Sequence, residues 1–164
     1  MRTARIKNIS IVTHAKGCPG IRFFGLGPQF IPVNGINQIE KLFNNYAFWA
    51  TKRDKENIKR MLSNSSAVIT IWERKKLIAF GRALSDGVYR AVLWDVIVAE
   101  EFRQKGIGKK LIDSLLKTDA LKGINKIYVM TTHCSKFYSS NHFQKEITQS
   151  LLIKTNNENY FPGN

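Results

Sequence analysis

VYRAVLWDVIVAEEFRQKGIGKKLIDSLL, residues Val88 to Leu116, is the stretch that decides the fold. Residues Val88 to Val98 are apolar on both faces apart from Asp95, which is typical of a buried strand. The glycine-containing basic loop Arg103–Gly108 follows a short polar turn, and from Ile107 the apolar residues recur with helical spacing. The pattern predicts a strand, a loop and a helix. The loop then lies at the helix N-terminus, where free N–H groups and the helix dipole favour an anion such as a phosphate.

Length and charge set broad limits on the protein. The 164 residues predict one domain over residues 1–164, beginning with a basic lead-in at residues 1–20. The formal net charge is +14, from 26 Lys and Arg against 12 Asp and Glu. Such a field attracts polyphosphates, nucleic acids and acidic proteins, although a solvated lysine-rich surface explains the same composition.

Cysteine usage and hydropathy indicate which cellular compartment and which kinds of site to expect. Cys18 and Cys134 give neither a disulfide framework nor a metal-binding spacing, so we expect no metal. The N-terminus lacks the apolar segment of a secretory signal, and no run approaches the ~18 apolar residues of a membrane span. We therefore expect a cytoplasmic protein in a reducing compartment, with no membrane partner.

The rest of the chain predicts the elements that surround the central stretch. Residues 21–24 are a candidate first strand, Asn37 and Glu40 resemble a capping pair for a helix, and Asp54 starts a second helix. An antiparallel meander and a strand parallel to its last member are predicted at 67–72, 77–84, 88–98 and 126–130. Later elements are a short helix at 135–143 and strands at 151–153 and 160–162. The fold class is α/β (mixed α+β): a central mixed, mostly antiparallel sheet with helices on both faces.

The basic loop has the composition of a phosphate site. Its glycines let the backbone approach a ligand closely, and Gln104 to Lys109 can direct N–H groups into one concavity. It is not a dinucleotide fingerprint, because Lys110 and Leu111 follow Gly108 where a further glycine is needed. It also lacks the G-K-[ST] ending of a Walker A loop. The sequence therefore predicts a different phosphate-bearing cofactor.

Two motifs resemble the GNAT superfamily of N-acetyltransferases. Residues Val98–Gly108 resemble its acetyl-CoA-binding pattern V-x-P-x-[YF]-[QR]-x-x-G-[IL]-G, with Glu100 in place of the usual proline. Residues Phe137–Phe143 resemble its F-Y-x-x-x-G-F pattern, with His142 in place of glycine. The resemblance covers residues 67–143, implies the GNAT fold, and makes this part the cofactor-binding core.

Two shorter motifs resemble one branch of that superfamily. Residues 82–86 read R-A-L-S-D and residues 94–96 read W-D-V, as in the cyanobacterial and plastid branch that includes plant chloroplast serotonin N-acetyltransferase. For a protein of plastid origin this implies the plastid stroma instead of the cytoplasm.

The resemblance implies direct acetyl transfer from acetyl-CoA to an amine in a ternary complex. The acceptor would be an arylalkylamine, or the N-terminus or a lysine of a protein. Backbone groups of the strand would hold the pantetheine and thioester, and the loop amides would hold the pyrophosphate. The residues implied to bind acetyl-CoA are Ile97, Val98, Arg103, Gln104, Lys105, Gly106, Ile107, Gly108, Lys109 and Thr132.

Two residues are candidates for catalysis. Tyr138 occupies the family's thiolate-facing position and is a candidate acid for the leaving thiolate, although Phe137 and Tyr138 also read as an aromatic packing pair. Asp95 is an acid in an apolar strand. It is either the base that accepts the amine's proton or a structural partner of Arg82 or of a backbone donor on the neighbouring strand.

Other classes of function stay open at this point. A non-catalytic acyl-CoA-binding regulatory module would keep the loop without needing Tyr138 or Asp95. A basic nucleic-acid-binding domain fits the charge, but the aromatic residues fall at core positions and no nucleic-acid-binding motif is present. A homodimer is compatible with the sequence.

Overall fold

The computed structural model describes residues 8–154, which contain five strands and five α-helices. The chain divides into two compact units, with the boundary between Thr131 and Thr132. The strands are β1 (Ile9–Thr13), β2 (Ala67–Glu73), β3 (Lys76–Ser85), β4 (Arg90–Val98) and β5 (Lys126–Val129). The helices are α1 (Pro19–Phe24), α2 (Gly35–Tyr46), α3 (Lys55–Ser63), α4 (Ile107–Leu116) and, in the second unit, α5 (Ser135–Ser139).

The first unit is built on one mixed sheet with the strand order β1-β2-β3-β4-β5. The first three pairings are antiparallel, and β4 pairs with β5 in parallel through the crossover that contains α4. The predicted meander, parallel strand and fold class are confirmed.

Helices cover both faces of this sheet. A Cβ atom on Gly81 of β3 would lie 3.0 Å from Leu115 of α4, while the neighbouring Phe80 makes a T-shaped contact with Phe43 of α2. Adjacent residues of a strand point to opposite faces, so α4 and α2 pack on opposite sides of β3. The core is made of β2, which is buried over six of its seven residues, and the apolar sides of these helices. None of the described helices has both the length and the apolar character needed to cross a membrane.

The predicted strand at residues 21–24 is wrong, because these residues belong to α1. Pro19 stands in the first turn of α1, where its missing N–H costs nothing. Gly25 ends the helix with a φ of +62° and donates its N–H to the carbonyl oxygen of Ile21. Only Ile21 of the helix is buried, so the sequence shows no helical period.

Two other expectations about the first half need correction. The lead-in of residues 1–20 contains β1, an integral strand that pairs with β2 from Ile9 to Thr13. Helix α2 begins at Gly35 behind Asn34, with no side-chain cap, so Asn37 and Glu40 are not its capping pair. Asp54 does cap α3, since its carboxylate accepts the N–H of Asn57 at 2.8 Å.

The last predicted elements meet different outcomes. The helix at 135–143 is present but ends at Ser139. Residues 151–153 form no strand, and the side chains of Leu151, Leu152 and Ile153 are exposed. The strand predicted at 160–162 lies outside the described residues. The single-domain assignment stays a prediction.

Candidate active site

The loop after β4 presents a row of free backbone donors. A 3-10 turn at Glu100–Phe102 leads into it, and α4 begins at Ile107 behind Gly106. Within residues 8–154, none of the backbone N–H groups from Gln104 to Lys109 donates to an acceptor. These groups lie at the positive end of the α4 dipole, so the loop can bind an anion.

Gly106 gives the loop its shape. Its φ of +77° lies in the left-handed region, which costs free energy for residues that have a Cβ atom. No atom of the described residues lies within 4 Å of a Cβ built on it, so the backbone conformation and not crowding calls for glycine. Gln104 shares this region with a φ of +57°. Two left-handed residues in close succession turn the backbone sharply and direct neighbouring N–H groups into one concavity.

The side chains around the loop anchor it. Glu101 accepts hydrogen bonds from Lys76 Nζ at 2.7 Å and from the Tyr46 hydroxyl at 3.0 Å. The Lys76 contact, helped by backbone and Tyr46 hydrogen bonds, lowers the pKa of Glu101 to about 2. The ammonium groups of Lys76 and Lys105 each lie 5.6 Å from the ring centroid of the buried Phe102, in cation–π contacts. The start of the loop is therefore tied to α2 and β3.

Within residues 8–154, strand β4 has a partner on both sides only over its first part. Arg90–Leu93 pair with β5, whereas the pairing with β3 runs on to Val98. The Ala99 N–H donates to the Ile78 carbonyl at 2.9 Å, so by alternation the Val98 N–H and C=O point away from β3. The backbone groups of Ile97, one residue earlier, point toward β3, and its side chain is buried.

The Arg103 side chain joins the loop to this open edge. Its Nε donates to the carbonyl oxygen of Val98 at 3.1 Å. The Val98 carbonyl is thus already satisfied by the protein, and its N–H is the group left for a ligand. The sequence predicted a backbone role for Arg103 but not this side-chain contact, because the spacing alone does not show which carbonyl faces the loop.

Asp95 lies at a bulge in β4 and is held by two arginines. Its φ is +51°, and the β3–β4 register shifts between Phe80 and Arg82. Its side chain is 1% exposed. Oδ2 accepts from Arg82 Nε at 2.7 Å and from Arg53 Nη1 at 3.0 Å. The predicted pairing with Arg82 is present, while Arg53, from the connection before α3, is a partner that no local sequence signal indicated.

In the second unit, Tyr138 is buried on α5. Its ring makes T-shaped contacts with Phe137 at 5.1 Å and Phe143 at 5.6 Å between centroids. Burial, with a smaller contribution from the charge of Cys134, raises the pKa of Tyr138 to about 12. The phenol therefore stays protonated at neutral pH. Both sequence readings, the donor and the packing pair, are compatible with this environment.

The departure of this motif from the family pattern, His142, has a structural correlate. His142 has a φ of +67°, so it occupies the left-handed position where the resembling pattern has glycine. Asn141, just before it, donates to the Phe137 carbonyl at 2.7 Å, while its buried Oδ1 has no partner within the described residues. Thr132, the last predicted acetyl-CoA contact, is exposed at the start of the same unit.

The mixed sheet, the free N–H groups and the open edge of β4 are features of a domain that can bind a phosphate-bearing ligand beside a strand. The sequence model of the Acetyltransferase (GNAT) family matches residues 36–143, which is more than half of the chain. The chain belongs to this family, and the predicted resemblance is confirmed.

Individual relatives agree with the predicted branch. A GCN5-related N-acetyltransferase 1, chloroplastic, from Arabidopsis thaliana is 32% identical over 94 residues, covering 56% of this chain and 47% of the relative. An uncharacterized N-acetyltransferase ycf52 from Pyropia yezoensis is 33% identical over 86 residues, covering 50% and 48%. The chain thus spans about half the length of the curated relatives it matches. A putative GNAT acetyltransferase from Xanthomonas campestris shares the fold, with a TM-score of 0.68, 20% identity and coverage of 92% and 94%.

Proposed function

We propose that this protein transfers the acetyl group of acetyl-CoA directly to an amine. The observation that carries the proposal is the row of unpaired N–H groups from Gln104 to Lys109, placed directly after the open edge of β4. Family membership supports the same activity. Transfer forms a C–N bond and breaks the C–S bond of the thioester, while the amine loses a proton and the thiolate gains one.

The loop fits the pyrophosphate of acetyl-CoA. Backbone N–H groups of residues 104–109 would donate to its oxygens, and Gly106 keeps the concavity free of side chains. Lys105 and Lys109 add positive charge at the rim, although Lys109 also pairs with Asp113 at 3.1 Å. Thr132 is a further proposed contact, which rests on the motif resemblance alone.

The open edge of β4 suits the thioester and pantetheine. The Val98 N–H points away from β3 and is the proposed donor to the thioester carbonyl, where it would stabilise negative charge as the amine attacks. The Val98 carbonyl already accepts from Arg103. Ile97 would contribute through its buried side chain, which fixes the strand, because its backbone groups face β3.

Tyr138 is the proposed acid. The phenol is protonated at neutral pH and can donate a proton to a thiolate, while burial, which raises its pKa to about 12, makes it a weaker acid than an exposed tyrosine. The match of residues 137–143 to the family pattern supports this role. Asp95 is a candidate for the base or for a structural partner. Because Arg53 and Arg82 both contact its Oδ2, the structural role is favoured. The amine's proton then passes to water.

The net charge of the protein affects which amine acceptors are favoured. A surface of +14 repels polycations and attracts acidic molecules. Of the two predicted acceptor classes, arylalkylamines and protein amines, the charge disfavours lysines set among other basic residues. A protein acceptor would accordingly carry acidic residues beside the reacting amine.

The experiment is acetyl-CoA turnover against arylalkylamines, polyamines, and acidic and basic peptides, with products identified by mass spectrometry. Tyr138→Phe should lower kcat about 100-fold, in the range of lost acid catalysis, while acetyl-CoA affinity changes less than about twofold. Tyr89→Phe, on an exposed tyrosine, is the matched control. Unchanged turnover in Tyr138→Phe would remove this residue from the mechanism. Binding of acetyl-CoA with no product from any amine would make the protein a regulatory module.

A further inference from the structure

The outer edge of β1 is unpaired. Strand β1 stands at one end of the sheet order, and β2 is its partner on one side. The His14 N–H donates to the Val68 carbonyl at 3.0 Å, so by alternation the even-numbered residues of β1 direct their backbone groups to β2. The odd-numbered residues direct theirs outward. Within residues 8–154, these outward N–H and C=O groups have no partner, and they belong to Ile9, Ile11 and Thr13.

Strand β1 lacks the features that usually protect a free edge. Proteins blunt such edges with charged side chains, prolines or bulges. The sequence of β1 is ISIVT, with neither a charged residue nor a proline, and its pairing with β2 runs from Ile9 to Thr13 without a shift in register. Four of these five residues are β-branched, which favours extended backbone. An edge of this kind is suited to pair with another extended chain.

A groove follows this edge, between β1 and the segment that comes after it. One cavity of about 360 Å³ is lined by residues 8–10 together with Pro28, and a second of about 430 Å³ by residues 11–15 together with Cys18. Gln29 lines both cavities, so they are successive parts of one groove, the β1 groove. Even-numbered and odd-numbered residues of β1 both line it. The β1 groove therefore runs along the edge of the strand and not over one face of the sheet.

The β1 groove has an apolar part and two basic ends. In the second cavity, Cys18 and Ile21 are 2% and 1% exposed and form an apolar floor that can accept an apolar side chain. Arg74 and Lys75 line the first cavity. At the opposite end, Lys16 follows β1 and is exposed. Positive charge at both ends favours a ligand with acidic residues on either side of an apolar one.

We propose that the β1 groove binds an extended acidic segment of a partner protein. The backbone of the segment would pair with Ile9, Ile11 and Thr13, and one of its apolar side chains would enter the second cavity. A second copy of this chain fits less well. Antiparallel pairing of β1 with itself would bring the Arg74 end of one copy against the Lys16 end of the other, where like charges repel. The proposal does not depend on acetyl transfer, because β1 lies three strands away from β4 in the sheet.

A synthetic peptide tests the pairing directly. The probe is Asp-Glu-Thr-Leu-Thr-Val-Thr-Glu-Asp, titrated into the 15N-labelled protein and followed by NMR. The amide signals of Ile9, Ile11 and Thr13 should shift, and those of the loop at residues 104–109 should not. A peptide that leaves the β1 amides unchanged at about 1 mM would overturn the proposal.

Backbone methylation of the probe shows whether the peptide binds as a strand. Two further peptides carry N-methyl groups at the odd or at the even positions. Because a strand presents alternate N–H groups to each side, one of the two should bind at least about tenfold more weakly, while the other stays within about threefold of the parent peptide. Equal affinities of the two methylated peptides would show that no strand pairing takes place.

Variants of the protein locate the contact. Ile11→Pro removes an outward N–H without removing a bond to β2, and should weaken binding of the peptide about tenfold, whereas Ile11→Ala keeps that N–H and should lose less. Lys75→Glu should weaken binding about fivefold at low salt, and the same change at the distant Lys122 should have no effect. Equal affinities of the two lysine variants would contradict the acidic partner. A wild type that sediments as a dimer and an Ile11→Pro variant that sediments as a monomer would assign the edge to a second copy and overturn the proposal.

Discussion

The loop at residues 104–109, which follows β4, and the cluster around Asp95, which lies within β4, are two polar sites built in opposite ways. The loop offers backbone N–H groups that have no partner within the described residues, on a surface open to a ligand. The cluster uses charged side chains that are already paired, with Asp95 almost fully buried. The loop keeps its donors for a ligand, whereas the cluster uses its hydrogen bonds to hold the protein together. Substitutions should therefore affect ligand binding in the first and stability or positioning in the second.

The largest expected effect comes from the cluster. Arg82→Ala removes the closest partner of Asp95 and leaves a buried carboxylate with only the partly exposed Arg53. The free energy of unfolding should fall by about 3 kcal/mol, in the range found when one member of a buried ion pair is removed. Urea unfolding measures it, and Arg90→Ala, on an exposed residue of β4, is the control. A loss below about 1 kcal/mol would mean that the pair is not what holds the bulge.

A third polar group, His14, extends the comparison to a partly buried side chain whose charge varies with pH. Burial lowers the pKa of His14 to about 4, and its Nε2 lies 2.8 Å from the Thr70 hydroxyl. Trp72 Nε1 donates to that hydroxyl at 2.7 Å, which leaves the hydroxyl proton for a neutral His14. The unfolded chain binds a proton near pH 6.5 and the folded chain does not, so stability should fall as pH drops from about 6.5 to about 4.

The size of this pH effect is at most about 3 kcal/mol, from 1.36 kcal/mol for each pKa unit. Urea unfolding at pH 7 and at pH 4.5 measures it in the wild type and in His14→Gln, whose amide keeps a hydrogen-bonding group near Thr70 and does not titrate. The wild type should lose more stability than the variant between these two pH values. Equal losses would show that His14 does not contribute to the pH dependence.

A smaller effect on stability, but a selective one on binding, is expected at Gly106. Gly106→Ala places a Cβ at a φ of +77°, which should cost about 1–2 kcal/mol of stability. Gly87→Ala provides a matched strain, with a φ of +81° and equally open space, on the turn before β4. The two variants should lose similar stability, but only Gly106→Ala should weaken acetyl-CoA binding, by about tenfold. Calorimetry that shows equal affinities for both variants would contradict the backbone site.

The smallest effect is expected from a side chain of the loop. Lys105→Ala removes an exposed charge near the proposed pyrophosphate and should weaken acetyl-CoA binding about threefold at low salt, and less at high salt. Lys122→Ala removes an exposed charge from the turn after α4 and serves as the control. A loss of affinity larger than that of Gly106→Ala would show that side chains, and not the backbone, bind the anion.

The two sites also differ in how far they could be predicted from the sequence. The loop is local: glycine at 106 and the change from strand to helical spacing are visible in adjacent residues, so the loop, β4 and α4 were predictable. The cluster is not local, because Arg53 and Asp95 are 42 positions apart in the numbering and meet only through the packing of α2 and α3. Arg82 was found because its strand is adjacent. The direction of the Val98 backbone groups depends on the β3–β4 register, which the bulge shifts.

The early and late elements were harder for related reasons. Helix α1 is six residues long and buries only Ile21, so its apolar run resembles a strand. The apolar trio Leu151–Ile153 has strand composition, but composition does not supply a partner, and these residues are exposed without one. Helix α2 begins behind a left-handed Asn34 without a side-chain cap, so its start carries no capping pattern.

The central claim is that the backbone N–H groups of residues 104–109 bind the pyrophosphate of acetyl-CoA. The most direct measurement is an NMR titration of the 15N-labelled protein with acetyl-CoA and, separately, with acetylpantetheine, which has the thioester but no pyrophosphate. Acetyl-CoA should shift the amide signals of Gln104 to Lys109 and that of Val98, whereas acetylpantetheine should shift Val98 and leave the loop unchanged. Saturation by acetyl-CoA without a change in the loop amides would contradict the account.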